Sequence, residues 1–193
     1  MGLFKDSTLR ARAARGTTLQ KSATKVLDEK AHASAKVAKF DIFLSHSLSD
    51  QELILGIWLS LEDMGYKVYV DWIHDRQLSR DSVSKDTAHV LRQRMLSCKS
   101  LFFATTTNST ESKWMPWELG FKDGQNHKAA ILPVARTDTN QYAGQEYLGI
   151  YPYVSKDPTK GSSIEKLWIN ASPTCYVLFD DWLLGKDPYE RGK

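Results

Sequence analysis

The segment FDIFLS at Phe40–Ser45 is where the chain first shows the pattern of a folded domain. It is short and apolar, as expected of a buried strand. A stripe with the 3.6-residue period of a helix follows, formed by Leu53, Ile54, Ile57, Trp58, Leu61 and Met64. Ser49 and Glu52 have the spacing of a capping box, and Gly65 suits the helix C-terminus. This first unit predicts a strand followed by an amphipathic helix.

The same alternation of strand and helix continues downstream. Further short apolar runs lie at 67–72, 100–105 and 129–134, with helical patterns between them. A weaker signal predicts a fifth strand within 151–154 and a closing helix at 175–184. Strands that alternate with helices predict βαβ units and a parallel sheet covered on both faces. We therefore predict an α/β doubly wound fold of the flavodoxin-like kind, in which the strand order would be 2-1-3-4-5.

If the strands have this order, it predicts where a ligand would bind. In open parallel sheets, ligands bind beyond the carboxyl ends of the strands, at the point where strand order reverses. That crevice would lie between the first and third strands. It would be lined by Ser45 and His46 after the first strand and by Thr105–Thr107 after the third. The start of the next helix, which carries Glu118, would reach the same place.

The segment WMPWE at Trp114–Glu118 carries the main chemical signal. Residues four apart share one helix face, so Trp114 and Glu118 would place a large π surface beside a carboxylate. Pro116 is tolerated in a first helical turn, which predicts a helix start near Lys113 or Trp114. Glu118 would then lie near the positive end of the helix, which favours the ionised carboxylate. A simpler interpretation is an amphipathic helix with a buried Trp and a solvated Glu.

Composition limits the remaining possibilities. The chain has 193 residues, enough for one domain and an extension. Residues 1–39 carry nine Lys/Arg and three Asp/Glu, a net charge of +6, whereas the rest carries −3. We interpret 1–39 as a basic extension, helical or disordered, and favour a solvated tail over a contact with nucleic acid or anionic lipid.

Cysteine content and hydropathy indicate which cellular compartment the sequence favours. Only two cysteines occur, Cys98 and Cys175, which is too few for a disulfide framework and favours reduced thiols in the cytoplasm. No stretch approaches the ~20 apolar residues of a membrane span. The histidines show no metal-binding spacing, so no metal site is predicted.

Three motifs resemble those of the bacterial TIR (Toll/interleukin-1 receptor) domains that consume NAD+, of the Thoeris-like antiphage kind. Phe40–His46, followed by Asp50, is similar to the opening strand and loop of that family. Val70–Trp72 resembles the end of its second strand, and Trp114-x-x-x-Glu118 resembles its tryptophan–glutamate pair. The resemblance covers about 40–135 and implies a TIR domain over 40–193 that diverges from about 136. The loop at 73–86 lacks the Pro-Gly and Gly-Asp-Ser motifs of relatives.

The resemblance implies roles for individual residues. Glu118 would be catalytic, and Ser45 and His46 would contact the ribose or phosphates. Trp114 would either wall in the nicotinamide ring or pack in the core. Asp71 would either form a hydrogen bond with the loop after the first strand or cap the end of the second strand. NAD+ would be the substrate, with no cofactor.

The implied reaction is cleavage of the nicotinamide–ribose bond, with a fixed carboxylate stabilising the cationic ribose. The product stays open between ADP-ribose and a cyclic ADP-ribose isomer. Such a protein would associate with itself, and a downstream effector would read a nucleotide product in antiphage signalling. One alternative is a non-catalytic TIR interaction module. Another, ranked below it, is an enzyme resembling nucleoside deoxyribosyltransferases, which would need a carboxylate placed for covalent capture.

Overall fold

A computed structural model describes residues 2–17, 25–26, 39–70, 84–106, 109, 112–136, 142, 144 and 146–191. The strands in this part of the chain are β1 (Phe4–Lys5), β2 (Phe40–Ser45), β3 (Val68–Tyr69), β4 (Cys98–Thr105), β5 (Ala129–Ala135), β6 (Tyr153–Pro158), β7 (Glu165–Asn170), β8 (Cys175–Leu178) and β9 (Tyr189–Glu190). The α-helices are α1 (Asp6–Gly16), α2 (Gln51–Asp63), α3 (Lys85–Leu96), α4 (Met115–Asn126) and α5 (Phe179–Leu183). None of these helices is long and apolar enough to cross a bilayer.

A single sheet organises the fold, in the order β3-β2-β4-β5-β6-β7-β8-β9. The first five strands of that path pair in parallel. Numbered from Phe40–Ser45 as the first, they have the order 2-1-3-4-5, so the predicted α/β, flavodoxin-like fold is confirmed. Strands β6 to β9 continue the sheet in antiparallel pairs.

Helices cover both faces of the sheet because the parallel strands are apolar on both sides. Along β2, Ile42 and Leu44 pack in one cluster with α1, α2 and α5. Phe43, between them, points to the other face, where α3 and α4 complete a second cluster. Leu91 and Met95 of α3 are buried in that second cluster, as predicted. The sheet therefore separates α2 from α4, which leave its carboxyl edge on opposite faces.

The start of α2 differs from the prediction, whereas its end agrees. Ser49 lies in a 3₁₀ turn at Leu48–Asp50, and α2 begins only at Gln51. The cap belongs to that turn, where the Ser47 hydroxyl accepts from the backbone N–H of Ser49. The predicted capping box is therefore wrong. Gly65 ends the helix with a φ of 90°, and its N–H donates to the carbonyl of Glu62.

The C-terminal part is richer in strands than predicted. The fifth strand is confirmed as β6, which begins at Tyr153. The closing helix at 175–184 is wrong in its first half, because Cys175–Leu178 forms β8 and only Phe179–Leu183 is helical. Strand β7 was not predicted. These short strands are stabilised by antiparallel pairing with one another, and local periodicity does not reveal such pairing.

The N-terminal segment is built into the sheet. Strand β1 pairs in parallel with the end of β5, with Phe4 opposite Val134, while Gly2 bridges to Lys156 of β6. Helix α1 then packs on α2, and its Leu9 backbone lies against Gly56. Most of the predicted extension after Thr17 lies outside the described residues. Its division from the domain at residue 39 stays a prediction.

Replacing Gly56 should separate α1 from α2. A Cβ at this position would lie 2.7 Å from the Leu9 carbonyl carbon, which is backbone and cannot rotate away. We expect Gly56→Ala to lower the free energy of unfolding by about 1–3 kcal/mol, measured by urea denaturation. Gly120→Ala is the control, since its Cβ would meet nothing within 4 Å, and it should stabilise by up to about 1 kcal/mol. Equal effects would contradict this close approach.

Candidate active site

A serine and a glutamate meet at the carboxyl edge of the sheet. The Ser45 hydroxyl at the end of β2 donates to Oε2 of Glu118, with the two oxygens 2.6 Å apart. Both residues have no solvent-exposed surface. The structure thus brings together the two residues that the strand order predicted to be neighbours.

Local structure explains how each side chain reaches this point. Ser45 follows Phe43 by two positions, so it faces the side of the sheet that α3 and α4 cover. Helix α4 begins at Met115 with Trp114 as its cap residue and Pro116 in its first turn, as predicted. Glu118 therefore lies in the first turn as well, and its N–H donates to the Trp114 carbonyl.

Two features of the surroundings compensate for the burial of the Glu118 side chain. Burying an ionised carboxylate is costly unless hydrogen-bond donors replace water. The Ser45 hydroxyl supplies one such donor at a short distance. The positive end of α4 is close by, because Glu118 belongs to its first turn. A carboxylate in these surroundings, with little water to screen it, would interact strongly with a neighbouring positive charge.

Two more polar contacts shape the loop after β2. His46 is fully buried, and its Nδ1 lies 2.8 Å from the carbonyl oxygen of Leu44, which fixes the ring. Asp50 is nearly buried and accepts a short hydrogen bond from the Thr106 hydroxyl, just beyond β4. This contact ties the loop after β2 to the end of β4. Thr106 belongs to the stretch predicted to line the crevice.

Trp114 is the more buried of the two tryptophans in the motif. It is 6% exposed and makes an edge-to-face contact with Trp117 at 5.4 Å between ring centroids. Trp117 is only partly buried, stacks on Phe121 and lies under the guanidinium of Arg92. Trp114 therefore packs in the apolar cluster on this face of the sheet, and Trp117 lies at its margin. The part of Trp114 in binding nicotinamide stays a prediction.

Some predicted positions lie outside the described residues. These are Asp71, Thr107 and most of the loop at 73–86. Within the described part of the chain, no group of three or more His, Cys, Asp or Glu side chains is arranged to hold a metal ion.

Sequence reasoning missed a second buried ionisable side chain on α4. Lys122 has no exposed surface and belongs to the buried face of the helix, together with Met115, Glu118 and Leu119. The signal was available, because a residue seven positions after Met115 and four after Glu118 continues the stripe that faces the core. A lysine at such a position is unusual.

Comparison with known proteins adds the family. No protein-family model matches the chain. A Bacillus cereus (strain MSX-D12) protein named probable 3' cyclic ADP-D-ribose synthase ThsB' is 56% identical over 145 residues, covering 75% of each chain. A Cytobacillus dafuensis protein named putative cyclic ADP-D-ribose synthase TIR2 is 36% identical over 83 residues, covering 42% of this chain and 22% of that protein.

The chain belongs to the Thoeris-like family of bacterial TIR-domain proteins. In this TIR domain the buried pair Ser45–Glu118 lies where strand order reverses, which is the usual ligand-binding position in doubly wound folds. Because Glu118 has no exposed surface, any ligand that touches its carboxylate requires the crevice to open.

A double-mutant cycle tests the contact between Ser45 and Glu118. Ser45→Ala should lower the free energy of unfolding by about 1–3 kcal/mol, since it removes a donor from a buried carboxylate. In the background of Glu118→Leu the same change should cost much less, because no acceptor is left. Urea denaturation of the four proteins measures the coupling.

Ser60→Ala is the matched control for this cycle. The Ser60 hydroxyl donates to the Gly56 carbonyl within α2, away from Glu118. Its removal should cost the same in both backgrounds. A Ser45 effect that is equally independent of Glu118 would show that the pair is not coupled.

Proposed function

We propose that this TIR-domain chain cleaves the nicotinamide–ribose bond of NAD+ and converts the rest into a cyclic ADP-ribose isomer. The observation that carries the proposal is the side chain of Glu118, which is buried at the carboxyl edge of the sheet and accepts a hydrogen bond from Ser45. The names of the two relatives, both cyclic ADP-D-ribose synthases, support the same reaction.

The chemistry requires an anion rather than an acid. When the bond between the ribose C1 and the pyridinium nitrogen breaks, its electron pair goes to nitrogen, and nicotinamide leaves as a neutral molecule. Positive charge then develops on the ribose. Glu118 would stabilise that charge and accept a hydrogen bond from a ribose hydroxyl, which orients the sugar. A protonated carboxyl group would do neither as well.

The fate of the ribosyl cation decides the product. Capture by a nucleophile within the same molecule forms a new bond to C1 and releases that nucleophile's proton, which gives a cyclic isomer. Capture by water gives ADP-ribose. The names of the relatives support cyclisation. A crevice that excludes water would favour it, and the complete burial of Glu118 agrees with such a site.

The other site residues would support these steps. Ser45 would hold the carboxylate in one orientation. His46, on the same loop, would contact the ribose or phosphates once the crevice opens. Trp114, one turn before Glu118, would form a wall near the nicotinamide ring. NAD+ is the substrate in this proposal, and no separate cofactor takes part.

The closed crevice suggests that assembly controls activity. Substrate must reach a carboxylate that has no exposed surface, so part of its cover must move. We propose that association between copies of the chain provides the open arrangement. In the bacterial cytoplasm, the nucleotide product would signal phage infection to a downstream effector. A non-catalytic interaction module is disfavoured, because it has no need for a buried carboxylate held at the ligand-binding edge.

The first test is nicotinamide release from NAD+ by concentrated protein, followed by chromatography. We expect a cyclic isomer as the main co-product. Glu118→Gln should slow release by at least about 100-fold, since it removes the charge that stabilises the cationic ribose. Glu165→Gln, which removes an exposed carboxylate on β7, is the control and should keep full activity. Release that survives in Glu118→Gln would place the reaction elsewhere.

Ser45→Ala distinguishes two roles for the serine. If the hydroxyl acts through Glu118, kcat should fall by roughly 10–100-fold with little change in KM. If it binds substrate directly and equally in the ground and transition states, KM should rise and kcat should hold. We expect the first result, because the hydroxyl is already bonded to the carboxylate. Steady-state kinetics over a range of NAD+ concentrations separates the two.

A further inference from the structure

Lys122 is a buried cation on the helix that carries Glu118. Its side chain has no exposed surface, and it lies four residues after Glu118 on the same buried face of α4. An apolar side chain of similar length would fill this position without desolvating a charge. The lysine therefore calls for an explanation beyond packing.

The ammonium group connects three elements of the fold. Its Nζ donates to the carbonyl of Met95 in the last turn of α3, at 3.1 Å, and to the carbonyl of Cys98 at the start of β4, at 2.5 Å. It also donates to Oε1 of Gln125 on α4 itself, at 2.9 Å. Carbonyls in the last turn of a helix lack partners within the helix. Lys122 supplies a hydrogen-bond donor for the Met95 carbonyl from a neighbouring helix. It therefore ties α4 to the connection between α3 and β4.

Dipoles rather than a carboxylate hold this charge. The negative end of α3 favours a cation at this place. Cys98 faces the ammonium from β4, but burial raises the pKa of its thiol to about 12, so it is neutral. The charge of Arg94 on α3 lowers the pKa of the same thiol, and the charge of Asp41 on β2 raises it. Burial lowers the pKa of Lys122 to about 8, so the ammonium loses its proton within an accessible pH range.

The geometry links Lys122 to the catalytic carboxylate. Helix α4 is held at its first turn by the bond between Ser45 and Glu118, and one turn later by the bonds from Lys122. The strands that supply these partners, β2 and β4, are paired in fixed register. Loss of the second attachment would allow α4 to shift or rotate about the first. Displacements of about 1 Å at a reacting group can cost ~100-fold in rate.

We propose that Lys122 is a positioning residue for the NAD+ reaction, which holds α4 so that Glu118 keeps its orientation against Ser45. This inference rests on the proposed function. A neutral amine has two hydrogens for three acceptors, so the attachment weakens as pH rises through about 8. The stability of the fold responds in the opposite direction. Because the unfolded state binds the Lys122 proton more tightly, the contribution of this group to stability rises above that pH.

The test measures kcat and KM for NAD+ over about three pH units, from about 6.5 to about 9.5, after subtraction of enzyme-free blanks. It compares wild-type protein with Lys122→Met and Lys128→Met. Lys122→Met should lower kcat by about 10-fold at neutral pH with KM within about twofold. The fall in wild-type kcat above pH 8 should be absent from this variant. Lys128→Met is the control, because Lys128 packs over the Trp182 ring on the other face of the sheet and should leave kcat unchanged.

A second variant covers the case in which Lys122→Met does not fold. Gln125 is exposed, so Gln125→Ala should fold, and it removes one acceptor that favours the ammonium. The fall in kcat should then begin at a lower pH than in the wild type. An unchanged pH profile in this variant, or a basic fall that persists in folded Lys122→Met, would overturn the proposal.

Hydrogen exchange separates this proposal from the proposed function. The amides of α4 should exchange faster in Lys122→Met, or in Gln125→Ala at high pH, than in the wild type. If wild-type protein releases no nicotinamide, the proposed function fails, and exchange alone then decides whether Lys122 holds α4. If the wild type is active and α4 exchange is unchanged in the variants, the positioning role is wrong and the proposed function stands.

Discussion

The burial of the Glu118 carboxylate is the constraint on which the rest of this structure depends. A charged group without exposed surface is retained only where donors and dipoles replace water. Here the donor is Ser45 and the dipole is that of α4. The end of β2 and the start of α4 must therefore bring the Ser45 hydroxyl oxygen to 2.6 Å from Oε2 of Glu118. The parallel pairing of β2 with β3 and β4 and the apolar contacts of α4 make that meeting possible.

Helix α4 carries two buried ionisable side chains on one face, the acid Glu118 and the base Lys122. The carboxylate lies in its first turn, and the ammonium of Lys122 follows one turn later. The carboxyl group lies at the positive end of α4, and the ammonium donates to the Met95 carbonyl at the negative end of α3. Each side chain also has a hydrogen-bond partner on another element, Ser45 of β2 for Glu118 and Met95 of α3 for Lys122. These hydrogen bonds fix the helix more narrowly than apolar packing does, since apolar contacts are not directional.

The N-terminal segment shows how a basic stretch can serve the fold itself. Arg10 pairs with Glu52 and Arg12 with Asp63, both on α2, and the N–O distances are 2.7 Å. Such exposed pairs contribute little energy, and the burial of Leu9 and Ala13 contributes more. The pairs do show that part of the positive charge is matched within the molecule. Residues 2–16 pack as part of the domain, whereas the sequence had favoured a solvated tail.

Periodicity in the sequence was enough to establish the parallel core, because alternation of strands and helices is a local property. The crevice between β2 and β4, with Ser45 and Glu118 beside it, followed once the flavodoxin-like strand order was assumed. The start of α2, strands β7 and β8, and the insertion of β1 between β5 and β6 did not follow. They depend on a 3₁₀ turn or on pairing between distant segments. The contacts of Lys122 with Met95 and Cys98 were equally hidden, because these partners lie more than 20 residues away. Sequence alone thus specifies which residues approach one edge of the sheet. Register and side-chain packing decide which atoms meet there, because hydrogen bonds act over a few ångströms that no residue spacing encodes.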